Sequence, residues 1–141
     1  MDGRMLGLDI GERRIGIAVS DEMGMIASPV GLIQRAGDVA SELRALILQY
    51  NAVRLVAGLP VGLNGREGPQ AALVREFTDA LAAEIDVPLD YWDERLSTTV
   101  AERSLIAGGT KRNARKQKID AVAAAVILQS YLDNQRWRKT R

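Results

Sequence analysis

Two apolar runs, residues 5–10 and 14–20, are separated only by Gly11-Glu12-Arg13, and so short a link predicts that they pair as antiparallel neighbours. The first run, Leu6-Gly7-Leu8-Asp9-Ile10, carries a carboxylate in a stretch that otherwise reads as core strand. A carboxylate is costly to bury unless something compensates its charge. Asp9 is therefore a candidate for binding or chemistry.

The rest of the chain alternates strand-like and helix-like segments. An uneven strand run over 25–33 is broken by Pro29, and from Asp38 the period changes: Val39, Leu43, Leu46, Ile47 and Tyr50 follow helical spacing behind an Asp38 cap. Residues 53–59 form a continuous apolar run of buried-strand type that ends at Pro60. A Gly-rich loop over 61–68 follows, and Pro69 is placed to open a helix with Leu73, Phe77, Leu81 and Ile85 on one face. Residues 89–92 read as a further core strand, closed by Asp93-Glu94-Arg95. Thr99-Val100-Ala101-Glu102 has the pattern of a capping box for a short helix that stops near Gly108-Gly109. A basic loop then leads into an Ala-rich helix over 119–132, with Ile119, Val122, Ala123, Val126 and Ile127 on its apolar face. This order predicts an α/β fold with a mixed sheet and parallel crossovers, as one domain over 1–135 followed by a basic tail over 136–141.

Composition removes whole classes of chemistry. With no His and no Cys, imidazole bases, Ser-His-Asp and Cys-His nucleophile systems, thiolate zinc sites and disulfides are excluded. Any metal must be held by oxygen, which favours hard cations such as Mg²⁺ or Mn²⁺. The first strand-like run is too short and Gly-rich for a signal core, and nothing approaches a membrane span, so the expected location is the cytoplasm. The net charge of +1 hides an asymmetry: residues 1–102 hold 9 Lys/Arg against 16 Asp/Glu, a net of −7, whereas residues 103–141 hold 10 against 2, a net of +8. The C-terminal part thus suits a polyanion. Its basic residues form two groups, Lys111, Arg112, Arg115, Lys116 and Lys118 in one stretch, and Arg136, Arg138, Lys139 and Arg141 around Trp137 in the tail.

Asp9, the Asp93/Glu94 pair and Asp120 all fall at the ends of predicted core elements. In an open sheet such ends can converge on one crevice, where carboxylates repel one another unless cations intervene. Each acid also has an alternative: Asp9 as a turn cap, Asp93 and Glu94 as a solvated strand end, Asp120 as a partner of its helix dipole.

Four ordered motifs resemble the YqgF, or RuvX-like, family: Leu8-Asp9-Ile10-Gly11 through Arg14-Ile15-Gly16-Ile17-Ala18-Val19-Ser20-Asp21; Gly58-Leu59-Pro60 with Asn64-Gly65; Asp93-Glu94-Arg95-Leu96-Ser97-Thr98; and Lys118-Ile119-Asp120 with 124–132. The resemblance implies a ribonuclease H-like fold, with a five-stranded mixed sheet whose first three strands are antiparallel and helices on both faces. It implies a nuclease with Asp9, Glu94 and Asp120 as catalytic ligands of two Mg²⁺ or Mn²⁺ ions, Asp93 being the substitute for Glu94. Lys111, Arg112, Arg115, Lys116, Lys118, Arg95 and Arg14 are the expected nucleic-acid contacts. The implied substrate is structured nucleic acid, either the 5′ end of pre-16S rRNA or a four-way DNA junction, acted on by a monomer or homodimer. Asn64 departs from the family pattern, which carries an acid in that loop. Two competitors remain: an actin-like ATPase, which needs a second such domain, and a non-catalytic nucleic-acid-binding module, which has no need of the three acids.

Overall fold

The computed structural model describes residues 3–62, 64–96 and 112–139, with side chains for 3–62, 64–95 and 119–135. The short link does form a hairpin: β1 (Arg4–Ile10) and β2 (Arg14–Ser20) pair antiparallel with Leu8 opposite Ile17 and Asp9 opposite Gly16. β3 (Ala27–Gln34) adds to the outer side of β2, and Pro29 is accommodated beside a register shift on this edge strand, where a missing donor costs least. The chain then crosses through α1 (Val39–Tyr50) to β4 (Ala52–Leu59), and through α2 (Pro69–Ala82) to β5 (Leu89–Asp93). β4 lies parallel to β1 and β5 parallel to β4, giving one five-stranded mixed sheet in the order β3-β2-β1-β4-β5. A 3-10 turn (Glu94–Leu96) follows β5, and α3 (Arg112–Lys139) closes the described chain. The predicted helix over Thr99 to Gly109 lies outside the described residues.

Strand alternation sorts the sheet into two faces. Leu6, Leu8, Ile15, Ile17, Leu55 and Ala57 pack with Val39 and Leu43 of α1 and Leu81 of α2. On the other face, Ala18 and Val56 pack with Ala124, Ile127, Leu128 and Leu132 of α3. Asp38 caps α1 by accepting from Ser41 N at 3.1 Å, and Asn51 ends the helix in the left-handed conformation at φ 55°. Pro69 opens α2, but the buried stripe is Ala71, Val74, Thr78 and Leu81, with Leu73 66 % exposed. The buried stripe thus mixes small residues, Ala71 and Thr78, with Val74 and Leu81.

Two differences from the sequence reading concern α3. The basic stretch over 112–118 is not a loop but the opening of the helix, in keeping with the good helix propensity of Arg, Ala, Lys and Gln. α3 also runs to Lys139, through the first part of the segment read as a tail. Its buried residues are chiefly Ala121, Ala123, Ala124, Ile127, Leu128, Tyr131 and Leu132, while Ile119, Val122 and Val126 are only half-buried. Among the described residues no helix is long and apolar enough to cross a membrane.

Glycines set how closely α3 lies on the sheet. A Cβ at Gly7 would come within 2.8 Å of Leu128 Cβ and 2.9 Å of the Ala124 carbonyl, and one at Gly16 would fall on the Asp120 carbonyl. Polar side chains fix the next stretch of the helix. Gln129 accepts from Ala27 N and donates to Met25 O, each at 2.9 Å; Trp92 Nε1 donates to Ser130 Oγ at 3.0 Å; and Tyr131 OH donates to Asp90 Oδ2. Trp92 and Tyr131 also meet edge to face at 5.6 Å.

Gly16→Ala should therefore cost at least the ~1–3 kcal/mol typical of overpacking, because its obstacle is helix backbone rather than a movable side chain. Gly31→Ala on β3, whose added Cβ meets nothing within 4 Å, is the matched control and should cost far less. Urea denaturation of both variants makes the comparison, and equal stabilities would contradict the close-packed interface.

Candidate active site

Asp9 sits in the central strand with 7 % of its surface exposed, on the face covered by α3 because it alternates in phase with Gly7. Its antiparallel partner is Gly16, and over Gly16 lies the backbone of Asp120. On the parallel side, the register pairing Leu8 with Ala57 puts Gly58 next to Asp9. A Cβ at Gly58 would stand 2.6 Å from Ile127 Cδ1 of α3 and 2.8 Å from Glu94 Oε1, so the bare backbone of β4 here lies against both the helix and that carboxylate. The three positions Gly58, Asp9 and Gly16 are lateral neighbours, roughly 5 Å apart from strand to strand. Glu94 covers the first and Asp120 the last.

The same register separates the adjacent acids at the end of β5. Asp93 is the partner of Leu59, and its carboxylate is engaged by Arg95. Oδ1 accepts from the Arg95 backbone N at 2.9 Å, and Oδ2 accepts from Nε at 3.0 Å and Nη2 at 2.7 Å. The bonds from the Arg95 side chain hold the Asp93 carboxyl below the usual carboxylate range, against a smaller opposing effect of burial. Glu94, in the 3-10 turn, is the member of the pair that lies beside Gly58. Arg95 in turn stands 3.8 Å from the Cβ position of Gly65, bringing its guanidinium to the loop after β4. In that loop Asn64 Oδ1 accepts from Arg66 N at 3.0 Å, so the neutral amide closes a turn.

Asp120 lies well inside α3 rather than in its first turn, which removes the helix-dipole explanation, since that effect fades beyond the first turn. Its Oδ2 accepts from Arg14 Nε at 2.8 Å. Among the described residues no three acidic side chains stand, as they lie here, close enough together to hold a single ion. In kind, however, the residues fit a hard divalent cation, because every candidate donor is a carboxylate oxygen. Of the expected nucleic-acid contacts, Arg14 and Arg95 flank these acids. Arg112, Arg115, Lys116 and Lys118 belong to the opening of α3, and Lys111 lies outside the described residues. A separate cleft lies between the β1–β2 turn and α2, where Arg35 lies 4.0 Å over Phe77 and donates to Gly11 O at 2.8 Å.

The glycine cradle and the Arg14–Asp120 pair were not identified as site features from sequence. A glycine interrupting each of three core strands was the available signal for the cradle.

The chain has known relatives. The RuvX family model, described as Holliday junction resolvase, matches residues 3–134. A protein of Clostridioides difficile (strain 630) named "Putative pre-16S rRNA nuclease" is 46% identical over 135 residues, 94% of this chain and 96% of that one. One of the same name from Geobacillus kaustophilus (strain HTA426) is 45% identical over 137 residues, 94% of this chain and 99% of its own length. Among solved structures, T. thermophilus RuvC in complex with Holliday junction substrate superposes with a TM-score of 0.60 at 12% identity, covering 95% of this chain and 96% of that one. The Fowlpox virus resolvase in complex with Holliday junction DNA does so at 0.56 and 11%, covering 94% and 98%. At such identities these structures establish the shared ribonuclease H-like fold alone. The match over residues 3–134, with relatives at 46% identity along nearly their whole length, makes this chain a member of the RuvX family.

Proposed function

We propose that this protein is a divalent-metal-dependent nuclease that cuts structured nucleic acid, with the 5′ end of pre-16S rRNA as its substrate. The observation that carries the reading is the buried Asp9 on the central strand, between one glycine beside the Glu94 carboxylate and another under the Asp120 main chain. Relatives named for pre-16S rRNA support the substrate. The description of the family model favours a second reading, cleavage of a four-way DNA junction.

Asp9, Glu94 and Asp120 would hold two Mg²⁺ or Mn²⁺ ions. When bound, such ions supply a nucleophile at neutral pH and offset charge on the leaving oxygen. The chain itself supplies position. Asp9 is fixed by the central strand, and Glu94 by the turn that ends β5. Arg95, oriented by Asp93 beside the Gly65 loop, presents donors to a phosphate near the acids. Arg112, Arg115 and Lys116, at i, i+3 and i+4 in the opening of α3, hold flanking phosphates together with Lys111 and Lys118. Residues 1–135 act as one catalytic domain and 136–141 as a basic extension. A monomer suffices for trimming an rRNA end, whereas paired cuts at a junction call for a symmetric dimer.

With Mn²⁺, the purified protein should cleave a pre-16S rRNA fragment and stop when a chelator is added. Asp9→Asn should abolish that cleavage while leaving nucleic-acid affinity near wild type, because it removes a ligand without touching the basic surface. Full cleavage by Asp9→Asn would sink the metal assignment, and cleavage of a four-way junction alone would replace the first substrate by the second.

Changing Lys111, Arg112 and Arg115 together to Ala should weaken binding to all sequences alike and flatten the log–log salt dependence by up to about 0.9 per lost contact on duplex DNA. The rate at saturation should change much less. Unaltered affinity and salt slope would show that the opening of α3 does not touch the phosphates.

A further inference from the structure

Arg14 opens β2 two residues before Gly16, and it reaches across to α3, where its Nε donates to Asp120 Oδ2 at 2.8 Å. The two side chains are 30% and 22% exposed, and with Gly11, Glu12 and Arg13 they line a small open pocket beside the end of β1. A sheltered carboxylate gains from a nearby cation, and here the chain supplies one. A divalent ion placed on the same carboxylate would be repelled by that guanidinium, in surroundings that screen charge less than bulk water does. Both cannot keep the carboxylate at full strength.

We infer that Arg14 is an internal stand-in for the divalent cation at Asp120: the ion displaces it, and the released guanidinium then meets a phosphate of the nucleic acid. The inference rests on the nuclease reading above and makes Arg14 a positioning residue that couples the two binding events. The exchange keeps Asp120 compensated throughout, by Arg14 in the resting chain and by the ion in the loaded one. It also suits arginine, whose planar fork matches a phosphate as well as a carboxylate. By linkage, ion and nucleic acid each improve the binding of the other by the same factor.

The test is calorimetric titration of Mn²⁺ into the full chain without nucleic acid, a measurement independent of cleavage. Arg14→Gln should bind Mn²⁺ more tightly than wild type, by about 5- to 150-fold, the usual span of such couplings. Arg14→Met, which keeps the aliphatic stem, serves the same purpose if the Gln variant does not fold. Arg14→Lys, which keeps the charge, should stay much closer to wild type. Unchanged or weaker Mn²⁺ binding in the neutral variants would overturn the exchange, as would a Lys variant that tightens as much as they do. Asp120→Asn separates this inference from the reading beneath it. If that variant loses Mn²⁺ affinity while neutral Arg14 variants do not gain it, the exchange alone fails; if it binds Mn²⁺ like wild type, the assignment of Asp120 fails and the exchange with it.

Discussion

The close approach of α3 to the middle of the sheet is the constraint on which the site depends. Protein interiors are packed densely enough that a single methyl group is felt. Gly7 and Gly16 remove that methyl where the helix backbone and Leu128 come down on the sheet. The approach brings Asp120 over β2 and leaves Asp9 covered but not sealed. Gly58 performs the corresponding service on β4 for Glu94. Glycine is a poor strand former, so its presence in β1, β2 and β4 trades local propensity for a tertiary arrangement.

Charge compensation is the second element. Asp93 is held by Arg95 and Asp120 by Arg14, and a partly sheltered carboxylate left alone would be more costly than the pair is beneficial. The pairs differ in what they join. Asp93 and Arg95 are two residues apart and rigidify one turn, whereas Arg14 and Asp120 tie the first hairpin to the last helix. The first pair orients an arginine toward the Gly65 loop; the second borders a small pocket beside the end of β1.

Much of this was legible in the sequence where local signals and tertiary structure agree. The three-residue link between the first two strands, the Asp38 cap, Pro69 at the head of α2 and the apolar run of β4 each fix an element by a local rule. The start of α3 was not legible, because residues 112–118 are polar and carry no apolar period even though their propensity is helical. Nor was the burial stripe of α2, where Leu73 points to solvent and the smaller Ala71 and Thr78 face the sheet. That Asp93 bonds Arg95 while Glu94 lies beside Gly58 was not legible either, since it follows from where β5 ends and the 3-10 turn begins. Arg14 meets Asp120 across more than a hundred residues, a contact that no sequence spacing announces.

Anomalous diffraction from crystals grown with Mn²⁺ tests the central claim most directly. The account predicts manganese peaks in direct contact with the carboxylates of Asp9, Glu94 and Asp120, with Arg14 moved off Asp120 and Asp93 still bound to Arg95. Manganese bound at Asp93, or an Asp9 carboxylate with no manganese beside it at saturating Mn²⁺, would contradict it.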